Sequence, residues 1–159
     1  MRRFMRRALA ASMVMAGVWL NAGGVLAAGN PGRTPNPPGP PVNVTCSGVP
    51  VVATLTFSKE YAKTYTLADG TIKVMVEGQL LATVAGNGKV LDLNSGGPGA
   101  LFIRPDGSVT FVLEGHTLYI TPTLDGIWLY TGHATFDGAT GLVTSHTGHA
   151  TDICALFLS

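Results

Sequence analysis

The chain has 159 residues, 46% of them hydrophobic and only 12% charged, with two cysteines and a formal net charge of +1. That length allows one domain, and the absence of any run of basic residues interleaved with aromatics argues against a nucleic-acid partner. Four of the ten basic residues lie in the first seven positions, so the rest of the chain sets six against nine acidic residues and is near −3.

Residues 1–28 carry the three parts of a secretory signal peptide. Arg2, Arg3, Arg6 and Arg7 form the positive start, Ala8 to Leu20 the apolar middle, and Val25-Leu26-Ala27 the small-residue cleavage site. A retained membrane anchor is the competing reading, but Asn21, Gly23 and Gly24 interrupt the apolar run too early for a span. No cysteine stands at the cleavage site, which argues against a lipid anchor. The expectation is a secreted, extracellular protein without membrane attachment once the signal is removed. Residues 29–42 read as a linker, because prolines there remove backbone donors and glycines loosen the chain. Asn43-Val44-Thr45 matches a glycosylation acceptor, of consequence only in a host that glycosylates. A single domain is expected over 43–159.

From Cys46 onward, apolar and polar residues alternate with a period of two, and no helical period of useful length appears. Strands are predicted at Pro50 to Phe57, Tyr61 to Leu67, Thr71 to Glu77, Leu80 to Ala85 and Val90 to Asn94. Ala68-Asp69-Gly70, Gly78-Gln79 and Asn87-Gly88 are read as the reversals between them, the last being the strongest hairpin signal in the chain. Ser95-Gly96-Gly97-Pro98-Gly99 is a loop. Ala100 to Thr121 then reads as three central strands, with one turn at Pro105-Asp106-Gly107-Ser108 and a second at Glu114-Gly115. Ile127 to Phe136 is a long strand ending at the turn Asp137-Gly138-Ala139-Thr140-Gly141, and Leu142 to Thr147 is the last clear strand. The tail from Asp152 to Leu158 fits a strand or one helical turn equally well.

About nine or ten strands with a turn signal every eight to twelve residues predict an all-β, antiparallel up-and-down meander. A sheet of that size curls, and closing it into a small barrel removes its exposed edges. A two-sheet β-sandwich is the alternative. Two cysteines in an exported chain pair, so a disulfide between Cys46 and Cys154 is expected to tie the domain's ends together. Free thiols at a redox or metal site would need a spacing these two do not have. A monomer is expected.

Chemistry-bearing residues are sparse. His116, His133, His146 and His149 suggest metal ligands at first sight, but His146 and His149 point to opposite faces of a strand and no cysteine or paired carboxylate stands at ligand spacing. No metal and no cofactor is predicted. Asp69, Asp106, Asp125 and Asp137 each sit beside a glycine in a turn, where an Asp bonds its own backbone. Glu77, Asp92 and Glu114 are the carboxylates placed where they can face a cavity. No serine lies in a nucleophile elbow, and Gly96-Gly97-Pro98-Gly99 lacks the lysine and helix of a phosphate loop. Catalytic residues are therefore assigned to none. Trp128, Tyr130 and Phe136 share a face with Gly132 and Ala134, which suits a packed core or the lining of a hollow. His116 shares parity with Leu118 and Ile120. On strand parity, His116, Trp128 and Tyr130 are the candidate ligand-binding residues.

The set Asn87-Gly88, Arg104-Pro105-Asp106-Gly107-Ser108, Glu114-Gly115-His116, Leu129-Tyr130-Thr131-Gly132 and Thr151-Asp152-Ile153-Cys154-Ala155 resembles a family of small secreted actinobacterial β-rich proteins of unassigned function. The resemblance covers most of the chain from Cys46 onward. It implies export and one disulfide-closed β-domain, and it transfers no catalytic residue. A basic residue is common in that family where His133 and His149 stand, a departure that weakens any role built on these histidines. The functional expectation is a secreted non-enzymatic domain, either structural or binding a small apolar or glycan ligand. The alternative is a small barrel isomerase or cyclase, similar to the allene oxide cyclase type in fold class alone.

Overall fold

The computed structural model of the protein describes residues 32–159, so the secretory signal expected over 1–28 falls outside the described residues. Eleven strands occur among them: β1 Thr34–Asn36, β2 Val42–Cys46, β3 Val49–Ser58, β4 Glu60–Thr66, β5 Ile72–Glu77, β6 Leu80–Gly86, β7 Lys89–Asn94, β8 Gly99–Ile103, β9 Val109–Ile120, β10 Ile127–Asp137 and β11 Val143–Asp152. The tail resolves into one turn of 3-10 helix, Cys154–Phe157. Two strands exceed expectation. β2 ends at Cys46, and β1 lies within the stretch read as linker. Pro35 is tolerated in β1 because β1 is an edge strand, where a missing N–H costs no ladder bond.

The fold is all-β and antiparallel, but it does not close into a barrel. A seven-stranded sheet runs β1-β4-β5-β8-β9-β10-β11, and a four-stranded sheet runs β2-β3-β6-β7. The two-sheet alternative describes the molecule. The reason lies in three corners. β3 and β4 are one run of chain bent at Lys59, β5 and β6 one run bent at Gly78-Gln79, and β7 and β8 one run bent over 95–98. Each run gives one half to each sheet, as strands do at the corners of orthogonal sandwiches. The reversal expected at Gly78-Gln79 is thus a corner. Gly78 has φ +145°, and a Cβ there would overlap the Lys59 carbonyl oxygen. The Lys59 N–H donates to the Gln79 carbonyl at 2.8 Å, holding the two bent runs together where they cross.

The turn expected at Glu114-Gly115 is also not a turn. β9 continues unbroken from Val109 to Ile120. Gly115 stands opposite Gly132, and Gly132 opposite Gly148, so three glycines form one row across β9, β10 and β11. Their φ values are +85°, +116° and +115°, in the region closed to most side chains. The row is a crease, and the three strands fold over along it.

The crease sorts the apolar residues into three clusters. Between the folded-over half and the smaller sheet lie Leu118, Ile120 and Ile127 with Val44, Val51, Val84, Ile153 and Phe157. Inside the fold lie Tyr119, Ala134 and Phe136. Under the other half lie Val74, Val76 and Leu101, with Phe111 packed against both this group and the previous one. Thr117 to Ile120 are all buried, because alternate side chains enter cores on opposite faces of β9. Cys46 and Cys154 form the expected disulfide at the edge of the first cluster, with Cα atoms 5.2 Å apart and 108 residues of separation. Closing a loop of that length stabilises by about 4–5 kcal/mol in the chain-entropy account.

Candidate functional site

The three residues singled out by strand parity do not meet. Trp128 and Tyr130 do share the inner face of β10 with Ala134 and Phe136. Tyr130 lies 5.9 Å from Tyr119, 6.2 Å from Phe136 and 4.7 Å from His146 between ring centroids, so these rings fill the fold with each other. Burial pushes the phenols of Tyr119 and Tyr130 above their ordinary pKa. His116, which shares strand parity with the buried Leu118 and Ile120, is exposed. It directly follows the crease at Gly115, so it stands at the bend while Leu118 and Ile120, further along the same strand, reach the core.

His116 instead lines a pocket at the crease. The pocket has a volume of about 40 Å³ and lies between β4, β5, the 95–98 corner, β8 and β9. Val76, Leu101, Phe111 and Leu113 form its apolar wall, and Glu60, Ser95, Glu114, His116 and Thr117 bring polar groups to it. Glu60 is 7% exposed and Ser95 6%. Asn36 Nδ2 donates to Glu60 Oε2 at 3.1 Å, and Ser58 Oγ donates to the Asn36 carbonyl at 2.8 Å, so β1 is tied to the corner beside the pocket. Desolvation raises the Glu60 pKa above the ordinary glutamate value, and the Asn36 bond opposes this only in part. Ser95 Oγ is buried with no hydrogen-bond partner among the described residues. Glu60 was missing from the carboxylates expected to face a cavity. The signal was there, since it shares strand parity with Ala62, which packs on Val74 and Val76. Of the three that were expected, Glu114 lines the pocket, Glu77 pairs with Arg33 and Asp92 accepts from Thr83 Oγ1 at 2.7 Å.

A second feature is the outer face of the seven-stranded sheet. Residues opposite in parity to Val74, Val76 and Leu101 point away from the core, and the register places Tyr65, Lys73, Phe102 and Thr110 in one cross-strand row. Lys63, Met75, Ala100 and Val112 form the next row, and Tyr61 faces Glu77 beyond it. None of these residues is buried. Lys73 Nζ sits 5.5 Å from the Phe102 ring centroid, and the Arg33 guanidinium 5.5 Å from that of Tyr61. Arg104 Nη1 donates to Thr110 Oγ1 at 2.9 Å. Arg33, Lys63, Lys73 and Arg104, four of the six basic residues after position 28, therefore gather along one face with Glu77 the acidic residue among them. The cluster absent from the linear sequence is assembled by the sheet.

The turn aspartates and His133 have structural partners, whereas His146 packs on the Tyr130 ring with a buried Nε2 that has no hydrogen-bond partner among the described residues, and His149 is exposed. Asp69, Asp106, Asp125 and Asp137 bond within their own turns as expected, and hydrogen bonds from Thr71, Ser108, Thr123 and Thr140 hold them below the ordinary aspartate pKa. His133 Nδ1 lies 2.6 Å from Glu114 Oε1 across β9 and β10. No group of three His, Cys, Asp or Glu able to hold a metal occurs among the described residues. No protein-family model, curated protein or solved structure matches this chain, so the resemblance to secreted actinobacterial proteins rests on the motifs quoted above.

Proposed function

We propose that the protein is a secreted, non-enzymatic β-domain that binds an acidic glycan on the outer face of its seven-stranded sheet. The observation that carries this reading is the uncovered row Tyr65-Lys73-Phe102-Thr110. Aromatic rings on the open face of a sheet stack against sugar rings, and threonine and lysine supply hydrogen bonds to hydroxyl and carboxylate groups. The sign of the charge is specific: the face is basic on a chain whose part after position 28 is near −3. The Cys46–Cys154 disulfide supports an oxidising, extracellular setting. No helix among the described residues is long and apolar enough to cross a membrane.

An apolar ligand in the interior is less well supported, because Tyr119, Tyr130 and Phe136 occupy the inside of the fold. The isomerase or cyclase reading needs a chamber for its substrate. The crease pocket, at about 40 Å³, has room for a few water-sized groups, far below the several hundred cubic ångströms of ordinary substrate sites.

Binding measured by affinity electrophoresis or calorimetry against a polyuronate, a neutral glucan and a single-stranded oligonucleotide tests the proposal. Retention by the polyuronate, weakened at least tenfold in Phe102→Ala and Tyr65→Ala, is the expected result. Preference for the oligonucleotide, or affinity unchanged in both variants, overturns it.

A further inference from the structure

The crease pocket is built for a ligand of different chemistry. Two side chains more than nine-tenths buried, Glu60 and Ser95, reach it from different elements. Glu60 Oε2 is taken by Asn36, while Oε1 has no protein donor among the described residues. Ser95 Oγ has no partner at all there. A buried carboxylate without counter-charge and a buried hydroxyl without a bond are both costly, and a single donor between them would relieve both costs.

The lining decides the sign and size of that donor. Glu60 and Glu114 are the acidic groups on the pocket and exposed His116 the remaining titratable one; Asn36, bonded to Glu60, and Ser95, on the same lining, do not titrate. Two carboxylates exclude an anion. A hydrated metal ion is disfavoured by walls made of Val76, Leu101, Phe111 and Leu113. What fits is a positive nitrogen with a short apolar tail. The nitrogen meets the carboxylate and the hydroxyl, and the tail meets Leu101 and the Phe111 ring, whose face attracts cations.

We propose that this pocket is a binding site for a short primary alkylammonium group, donating to Glu60 and Ser95. The volume of about 40 Å³ admits a group of two or three heavy atoms. Such a group belongs equally to a free small amine or to the end of a lysine side chain. The inference is independent of glycan binding, which uses the opposite face of the sheet.

The test is a carboxyl-detected NMR titration of the purified, disulfide-intact protein with ethylammonium, with Nα-acetyl-lysine methylamide, and with ethanol as the neutral control. The expected result is saturable movement of the Glu60 carboxyl signal with ethylammonium and none with ethanol. The affinity falls at least tenfold in Glu60→Gln and severalfold in Ser95→Ala, while Asp92→Asn, outside the pocket on the smaller sheet, leaves it within twofold. Reciprocity requires bound ethylammonium to shift the Glu60 titration to lower pH, and wild-type affinity to fall as Glu60 protonates. Binding of the lysine derivative as well would identify a protein segment as a source, and its exclusion a free amine. Equal response to ethanol, no saturable response, or unchanged affinity in Glu60→Gln overturns the proposal. Because these variants leave Tyr65 and Phe102 untouched, failure here is separable from failure of glycan binding.

Discussion

The rings of Tyr119 and Phe136 lie 5.2 Å apart, although Tyr119 pairs with Trp128 and Phe136 is eight residues further along β10. In a straight strand eight residues span about 26 Å. The contact exists because Gly115, Gly132 and Gly148 let three paired strands fold over together. That crease creates the aromatic cluster, exposes His116 and shapes one side of the pocket.

The crease makes the glycines unequal. At Gly132 an added Cβ would overlap the Thr147 carbonyl oxygen at φ +116°, whereas at Gly107, φ +84°, it meets nothing within 4 Å. Gly132→Ala is expected to cost about 3 kcal/mol or more, combining backbone strain with a steric clash. Gly107→Ala should cost about 1–2 kcal/mol, the left-handed penalty alone. Urea unfolding of the two variants measures the difference.

Tyr119 Oη donates to the carbonyl of buried Gly141 at 3.0 Å, fastening the folded-over half to the β10–β11 turn. Tyr119→Phe keeps the ring packing and leaves that carbonyl without its donor. A loss of about 1–3 kcal/mol is expected by denaturant unfolding, the cost of an unsatisfied buried acceptor.

Glycine is also where the sequence misleads. Gly78-Gln79 and Glu114-Gly115 have the composition of reversals, yet they are a corner and a crease. A positive φ is needed both to reverse a chain and to bend one, and the choice depends on what lies across the sheet, here Lys59 for Gly78 and Gly132 for Gly115. The strand period, the disulfide and the shared face of Trp128, Tyr130 and Phe136 were legible, because each depends on local alternation or on cysteine count. The basic face was not, since Arg33, Lys63, Lys73 and Arg104 are dispersed in the chain and meet only through strand register. The pocket was hidden for the same reason, as it needs the 95–98 corner against β4 and β9.

Glu60 gives the stability a pH dependence opposite to that of the turn aspartates. Its folded pKa is raised by burial, so its stabilising contribution is present below the unfolded value and is lost as pH rises through the folded one. The aspartates, with lowered pKa values, stabilise above their unfolded values and lose that as pH falls. Glu60→Gln, which keeps an acceptor for Asn36, should therefore raise the melting temperature at neutral pH and lose that advantage in acid. Thermal scans across the range check the sign.

Removing the disulfide should be costly despite a second link between the chain's end and the smaller sheet, Asn87 Nδ2 donating to the Phe157 carbonyl at 2.7 Å. Replacing both cysteines by serine is expected to destabilise by about 2–5 kcal/mol, read from the denaturation midpoint with the slope compared.

Amide chemical-shift mapping with a uronate oligosaccharide tests the functional account most directly. If the outer face is the working surface, the perturbed signals will cluster on Tyr61, Lys63, Tyr65, Lys73, Phe102 and Thr110, with the inner-face residues Trp128 and Tyr130 unmoved. Perturbations centred on Trp128, Tyr130 and His146, or no saturable change on the outer face, would contradict it.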